Sequence, residues 1–151
     1  MSLLTEDQLG LSMRFEVVVD GFDLGSWSTC KGIAVTFKHE KVAELGNHFF
    51  TNYVPGRAEY APVVLTRAMK AGDWATTKAW LEEVTDAAWI TLKSGAKGAT
   101  ITMKDAHRGT VAAWTLKNAM PSAWKGPQFD ASGKGVAIET LELVHEGFLD
   151  D

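Results

Sequence analysis

The sequence predicts a small, mainly β domain, a β-sandwich or β-barrel, with one α-helix inserted about halfway along the chain. Short stretches that alternate apolar and polar residues recur along most of the 151 residues, as half-buried strands do. One segment alone, around residues 73–86, carries apolar residues at helical spacing. No internal repeat or linker interrupts the chain. Its length suits a single domain, residues 1–151.

The first two predicted strands form a hairpin. Met13 to Val19 alternates apolar and polar side chains, and Asp20-Gly21 supplies the turn. The second strand runs from Leu24 to Phe37, where Gly25 and Gly32 predict a bend or a bulge.

Residues 38–57 are predicted to be a long loop. They include a charged stretch, a Gly-Asn turn and several aromatic residues, and Pro55-Gly56 closes them. A loop of this length is uncommon in a compact domain unless it is functional. Its aromatic side chains indicate a surface that another molecule covers. An arm folded back on its own core remains the alternative.

A further strand leads into the helix. It runs from Glu59 to Arg67, and Pro62 within it indicates an edge or a bulge. Asp73 is the predicted N-cap of the helix, which ends near Asp86. The helix has an apolar stripe, widened by Trp80, that consists of Trp74, Thr77, Leu81 and Val84.

The second half of the chain is predicted to be β again. Ile101 and Met103 pair with the strand from Val111 to Leu116 around a turn at residues 106–109. A short strand follows at Trp124 to Phe129, and the final strand runs from Val136 to about Glu146.

The final strand has apolar side chains on both faces, with acidic residues between them. A strand of a half-solvated sheet is polar on one face. We therefore expect this strand to be covered on both sides, in part by another subunit. One face consists of Ala137, Glu139, Leu141, Leu143 and His145, and the other of Val136, Ile138, Thr140, Glu142 and Val144.

Composition argues against several classes of function. The formal net charge is −4 and no Lys/Arg cluster is present, which disfavours a DNA-coating protein. The first ten residues lack the apolar core of a secretory signal, and no run reaches the length of a membrane helix. We expect synthesis in the cytoplasm, no stable membrane insertion, and any destination outside the cell to be reached by assembly and release.

No catalytic, cofactor-binding or metal-binding residue is predicted. His39, Glu40, Glu44 and His48 do not have the His-Glu-x-x-His spacing that places two imidazoles on one helix face. Cys30 has no partner for a disulfide and no neighbouring zinc ligand, and is expected to be a core thiol.

Two other patterns match a phosphate loop or an acid–base pair only in part. Ser132-Gly133-Lys134-Gly135 lacks the remaining residues of a phosphate loop, and is interpreted as a hairpin turn. Glu139 and His145 share a face of the final strand, but the strand rise separates them by about 20 Å. They are not expected to act as an acid–base pair.

Five segments, in order, are similar to the inner-tube proteins of contractile phage tails and contractile injection systems, a family related to type VI secretion tube proteins. Together they span roughly residues 13–148. They are Phe15-x-Val17-x-Val19-Asp20-Gly21, Pro55-Gly56 followed by Tyr60, Leu65-Thr66-Arg67, Trp114-x-Leu116-x-Asn118-Ala119-x-Pro121 leading into Gly126-Pro127, and Ala137-Ile138-Glu139-x-Leu141-x-Leu143-x-His145-Glu146-Gly147.

The resemblance implies a non-enzymatic tube subunit. Six copies would form a ring by joining their inner sheets into a barrel around a lumen, and rings would stack inside a sheath on a baseplate. Cargo protein or phage DNA would pass along the lumen, and phage tail and injection system both remain open. Two alternatives from other classes are a monomeric β-barrel that binds a small ligand in a tryptophan-lined cavity and a small hydrolase on a β scaffold.

Two sets of contact residues follow from the resemblance together with the patterns above. The inter-ring candidates are His39, Glu40, Phe49, Phe50, Tyr53 and Pro55. The inter-subunit candidates on the final strand are Ile138, Glu139, Leu141, Leu143, His145 and Glu146.

Overall fold

A computed structural model of the chain describes residues 13–42, 46, 49, 51–88, 98–127 and 137–149. These residues contain ten strands and one α-helix, followed by a π-helical turn at Val84–Ala88. The elements are β1 (Arg14–Val19), β2 (Phe22–Trp27), β3 (Thr29–Lys31), β4 (Val35–Val42), β5 (Asn52–Tyr60), β6 (Val63–Ala68), α1 (Asp73–Glu83), β7 (Gly98–Lys104), β8 (Thr110–Lys117), β9 (Met120–Lys125) and β10 (Ile138–Val144).

Two four-stranded antiparallel sheets form a sandwich. Their strand orders are β2-β1-β7-β8 and β3-β6-β10-β9. Each sheet turns alternate apolar residues inward, so that Val17 and Ile101 of the first sheet share one core with Leu65 and Leu141 of the second. The mainly β class with one α-helix is confirmed. Of the two predicted architectures, the described strands form the sandwich and close no barrel.

The helix begins one residue earlier than predicted, and its predicted apolar stripe packs inward except for Trp74: Thr77 is buried, and Leu81 and Val84 pack half-buried against the core. Gly72, with φ of +91°, is the N-cap, and Asp73 is instead the first helical residue. The Asp73 carboxylate accepts a hydrogen bond from the Lys70 backbone N–H at 3.1 Å. Trp74 was expected in the buried stripe, but it is 39% exposed. It stacks on Trp124 of β9 with ring centroids 4.5 Å apart, while Trp80 enters the core.

The predicted loop at residues 38–57 is wrong. β4 and β5 pair from Val35 opposite Tyr60 to Val42 opposite Asn52, forming a separate two-stranded ribbon. We call this ribbon, Val35–Tyr60, the arm. Pro55 and Gly56 lie inside β5, next to a bulge between Phe37 and His39 of β4. Pro55 is tolerated because both strands of the ribbon are edge strands.

Several predicted strand limits also change. The stretch from Leu24 to Phe37 contains parts of β2, β3 and β4, which belong to three different sheets. Gly32, with φ of +92°, lies so close to Pro62 that an added Cβ would be 1.9 Å from its carbonyl oxygen. The stretch from Glu59 to Arg67 likewise divides at Ala61-Pro62, between the arm and β6.

The second half differs mainly in boundaries. The strand predicted at Trp124 to Phe129 is β9, which ends at Lys125, and the final strand is shorter than predicted, Ile138–Val144. Phe129 and Val136 lie outside the described residues. The β1–β2 and β7–β8 hairpins and the bulge opposite Gly25 are confirmed.

The sandwich has two distinct ends. At one end Lys117 of β8 exchanges backbone hydrogen bonds of 2.8 Å with Glu146 and Gly147, and Gly147 lies against Tyr60 at the root of the arm. We call this the arm end. At the other end, the far end, Arg14, Trp27 and Arg67 line one cleft. In the described part of the chain, no helix has the length and apolarity needed to cross a membrane.

Candidate functional site

Among the described residues, the side chains considered above as possible catalytic or metal-binding groups do not come together in one site. Within the described residues, no group of three or more His, Cys, Asp or Glu side chains is placed to hold a metal ion. His39 and Glu40 lie on an exposed strand of the arm, and Glu44 and His48 lie outside the described residues, as does Ser132-Gly133-Lys134-Gly135.

Cys30 is a half-buried thiol on β3 that packs against the core. Burial raises its pKa to about 11. The thiol therefore stays protonated at neutral pH, and the nucleophilic thiolate is scarce. This is the core thiol that the sequence predicts, and its environment is poorly suited to covalent catalysis.

Glu139 is fully buried, where it pairs with Arg67 of β6. The Arg67 guanidinium also donates to the Leu24 carbonyl and lies 3.9 Å from the centroid of the Trp27 ring. The second carboxylate oxygen of Glu139 accepts a 3.0 Å hydrogen bond from the Trp124 indole N–H. Because a buried charge needs a partner and hydrogen bonds, this network ties β2, β6, β9 and β10 together at the far end.

Sequence reasoning missed the pairing, although a signal was present. Arg67 follows Val63 and Leu65 in the inward register of β6, and Glu139 precedes Leu141 in the inward register of β10. A lone charge of each sign at inward positions of two strands indicates a buried ion pair when the strands are neighbours. The two residues lie opposite one another in the β6–β10 ladder.

The six final-strand candidates divide between core and surface. The side chains of Glu139, Leu141 and Leu143 are fully buried in this chain's own core. Both backbone edges of β10 are occupied as well, by β6 and β9. Ile138, on the opposite face of β10, is 46% exposed, and Glu146, two residues beyond the end of the strand, is exposed as well.

The arm exposes apolar and aromatic side chains on both faces. Phe37 is 56% exposed and Tyr53 is 58% exposed. Phe49, near the tip, is 94% exposed, whereas Phe50 lies outside the described residues. His39 lies edge-on to Tyr53 with ring centroids 6.2 Å apart, opposite Pro55 in the ladder. Of the inter-ring candidates, the arm thus brings His39, Tyr53 and Pro55 together on one ribbon.

An aromatic cluster holds the root of the arm to the sandwich. The Tyr60 ring lies 5.5 Å from that of His145 and 5.1 Å from that of Phe148, centroid to centroid. The Gly147 N–H donates to His145 Nδ1 at 3.1 Å. Burial lowers the pKa of His145, and nearby backbone groups of Ala61 and Gly147 offset part of that shift. His145 therefore lies at the arm end, while Glu139 belongs to the network at the far end.

Comparison with known families gives one match. The profile of a family described as T4-like virus tail tube protein gp19 matches residues 11–149. No curated protein is significantly similar in sequence.

Solved structures with TM-scores above 0.6 share the fold. The sheath-tube complex of an extracellular contractile injection system, PVC, contains a chain with a TM-score of 0.66 at 20% identity, covering 89% of this chain and 85% of that one. A chain of the anti-feeding prophage (AFP) baseplate has a TM-score of 0.63 at 17% identity, covering 97% and 93%. Hcp1 from Salmonella typhimurium has a lower TM-score of 0.48 at 12% identity, covering 89% and 82%.

Proposed function

Because the chain belongs to the T4-like virus tail tube protein family, it is a structural subunit of an inner tube, and we propose that its arm joins one ring of subunits to the next. The observation that carries this proposal is the exposure of Phe37, Phe49 and Tyr53 on a ribbon outside both sheets. An isolated two-stranded ribbon is marginally stable in water. A neighbouring ring would cover the apolar side chains of the ribbon and stabilise its two strands.

Within a ring, six copies would meet side by side. Among the described strands, β8 and β9 each end a sheet, and β8 has eight residues, of which only the last, Lys117, is bonded on its outer side to Glu146 and Gly147. Open edges pair with other strands unless they are covered. In a closed ring, each copy uses one side against the copy before it and a different side against the copy after it. The sheet edges at β8 and β9 suit such a contact. Ile138, on the outward face of β10, is available to the same lateral contact.

The proposed partners beyond the ring are a sheath outside the tube and a baseplate at its end. The similar structures come from sheath-tube, baseplate and cap assemblies of injection systems, which supports this arrangement. Cargo protein or phage DNA would pass through the lumen. The particle would be assembled in the cytoplasm and could act outside the cell after release.

The proposed function is mechanical and needs no enzymatic activity. The high pKa of Cys30 and the complete engagement of Glu139 with Arg67 and Trp124 support this view. The ligand-binding alternative lacks support, because Trp27 and Trp80 pack in the core. Screening with ester, phosphate and glycoside substrates is expected to show no turnover. Activity lost on Cys30→Ala, with folding intact, would contradict the proposal.

Removing the aromatic rings of the arm tests the stacking role. The triple variant Phe37→Ala, Phe49→Ala, Tyr53→Ala is expected to keep near-native circular dichroism and to form free rings without long tubes in negative-stain images. Each ring removed costs a stacked interface roughly 1.5–3 kcal/mol of apolar burial, multiplied around the ring. Val18→Ala, an exposed apolar residue on β1, a strand paired on both sides within its own sheet, is a control outside the arm and outside the proposed lateral edges. Long tubes from the triple variant would show that stacking uses another surface.

A further inference from the structure

The far end of the sandwich carries a cleft of about 460 Å³ lined by cationic side chains. Arg14 comes from β1, Lys104 from the end of β7, and Arg108 from the β7–β8 turn. A second cleft of about 340 Å³ shares Arg14 with the first and adds Lys70. We call these four residues, Arg14, Lys70, Lys104 and Arg108, the cationic cleft.

The charges in the cationic cleft are poorly compensated. Arg14 and Lys104 lie directly opposite each other in the β1–β7 ladder, where like charges destabilise a sheet. Among the described residues, none of the four cations forms an ion pair. This arrangement on a chain of net charge −4 indicates a site that receives an anion.

The neighbouring acids are largely engaged elsewhere. Asp105 Oδ1 accepts hydrogen bonds from the backbone N–H groups of His107 at 2.9 Å and Gly109 at 2.8 Å. Asp73 lies 3.8 Å from Arg67 Nε. Among the described residues, Glu16 is thus the one lining carboxylate without such a contact, and it shares the first cleft with three cations, Arg14, Lys104 and Arg108.

The position of the cleft points to its occupant. It lies at the far end, whereas the arm leaves the sandwich at the opposite end, beside Tyr60 and Gly147. Rings stacked head to tail bring the arm end of one against the far end of the next. β4 has eight residues, so the arm reaches about 26 Å. On the arm, Lys38 and Glu59 form an ion pair at 3.6 Å. Glu40 is exposed and has no ion pair among the described residues.

We propose that the cationic cleft receives the carboxylate of Glu40 from the arm of a second copy in the adjacent ring. This inference rests on the proposed function, and it assigns both sides of the stacking contact. Nucleic acid is the less suitable occupant, because Glu16 and Asp105 interrupt the lining and phosphate tracking needs a continuous basic stripe.

Charge reversal and charge exchange test the pairing. Two variants reverse the charges on one side of the contact: the double variant Arg14→Glu, Arg108→Glu and the single variant Glu40→Arg. Each is expected to reduce the amount of tube that sediments at least about tenfold, because all copies around a ring lose the contact together. A chain carrying all three substitutions regains complementary charges and is expected to recover tube formation. Raising NaCl from about 0.05 M to 0.5 M should shorten wild-type tubes, since salt screens exposed charges.

Lys78→Glu supplies the matched control. It reverses one charge on α1, outside the cleft, and loses only an exposed pair with Glu82 at 3.6 Å. Its tubes are expected to match the wild type. Two results would overturn this inference and leave the proposed function intact. One is that the charge-reversal variants form tubes of wild-type length. The other is that these variants lose only the binding of a single-stranded oligonucleotide. A wild-type chain that stays monomeric would overturn both.

Discussion

The sandwich and the arm are built from the same kind of antiparallel strand, but they place their apolar side chains in opposite environments. In the sandwich, Val17, Ile101 and Leu141 are fully buried. In the arm, Phe37 and Tyr53 are more than half exposed on a ribbon whose two strands, among those described, pair with each other and with no third strand. Strand formation alone thus does not determine burial, which depends on whether a second sheet lies against the strand.

This difference separates folding from assembly. The sandwich has its own core and its own buried ion pair, so substitutions there should act on the stability of the single chain. The arm lacks a core, and substitutions there should act on contacts between chains. Paired substitutions in the sandwich and in the arm should separate the two effects, and changes at the root and tip of the arm should show how the two regions are joined.

The largest contrast is expected between two ion pairs. Glu139→Leu leaves Arg67 buried without its partner and should cost about 3–5 kcal/mol of unfolding free energy. Glu59→Leu removes the exposed partner of Lys38 in the arm and should cost less than about 1 kcal/mol. Urea unfolding of both variants measures the difference. Adding Arg67→Met to Glu139→Leu should recover part of the loss, and equal losses for the two single variants would refute the contrast.

Side-chain truncation gives the second contrast. Leu141→Ala creates a cavity in the core and should cost about 2–5 kcal/mol. Tyr53→Ala, in the arm, should cost the isolated chain less than about 1 kcal/mol, because the ring is more than half exposed there. Thermal unfolding of dilute, unassembled protein is the measurement. A comparable loss for Tyr53→Ala would mean that the arm folds against its own sandwich.

Substituting two glycines compares the backbone at the root of the arm with the backbone at its tip. Gly32→Ala should cost roughly 1–3 kcal/mol, since its φ is +92° and the new Cβ would collide with the Pro62 carbonyl. Gly46→Ala, with φ of +87° and no described atom within 4 Å of the new Cβ, should cost only about 1 kcal/mol from the backbone conformation. Chemical unfolding compares them. A Gly46→Ala loss equal to that of Gly32→Ala would show that the close contact at Pro62 relaxes freely.

The smallest effect concerns pH at the root of the arm. Burial lowers the pKa of His145 in the folded chain below its ordinary value of 6.5, so the unfolded chain binds a proton more readily. Stability should therefore be complete above pH 6.5 and decline as the pH falls below it. Unfolding at pH 8 and pH 5.5 should show a smaller decline for His145→Gln than for the wild type. A wild-type chain that gains stability on acidification relative to the variant would contradict the sign.

Much of the sandwich was predictable because its strands are amphipathic. Val17 and Val19 alternate with exposed residues on β1, and the same alternation marks β7 and β8. Period-two alternation arises when one face is buried, so the pattern predicts both the strand and its inward side. The strands of the arm were not predicted, because neither face of the arm is buried and its sequence carries no such period.

The sequence by itself determined the mainly β class, a helix about halfway along the chain, the two hairpins and the family. These follow from local periodicity, turn residues and ordered motifs, all of which are properties of neighbouring residues. Tertiary structure alone decided that Arg67 meets Glu139, 72 residues along the chain, and that Trp74 stacks on Trp124 at the surface. It also decided that the cationic cleft and the arm lie at opposite ends. Such relations depend on which strands become neighbours, and the local pattern of a strand is nearly the same whichever partner it pairs with.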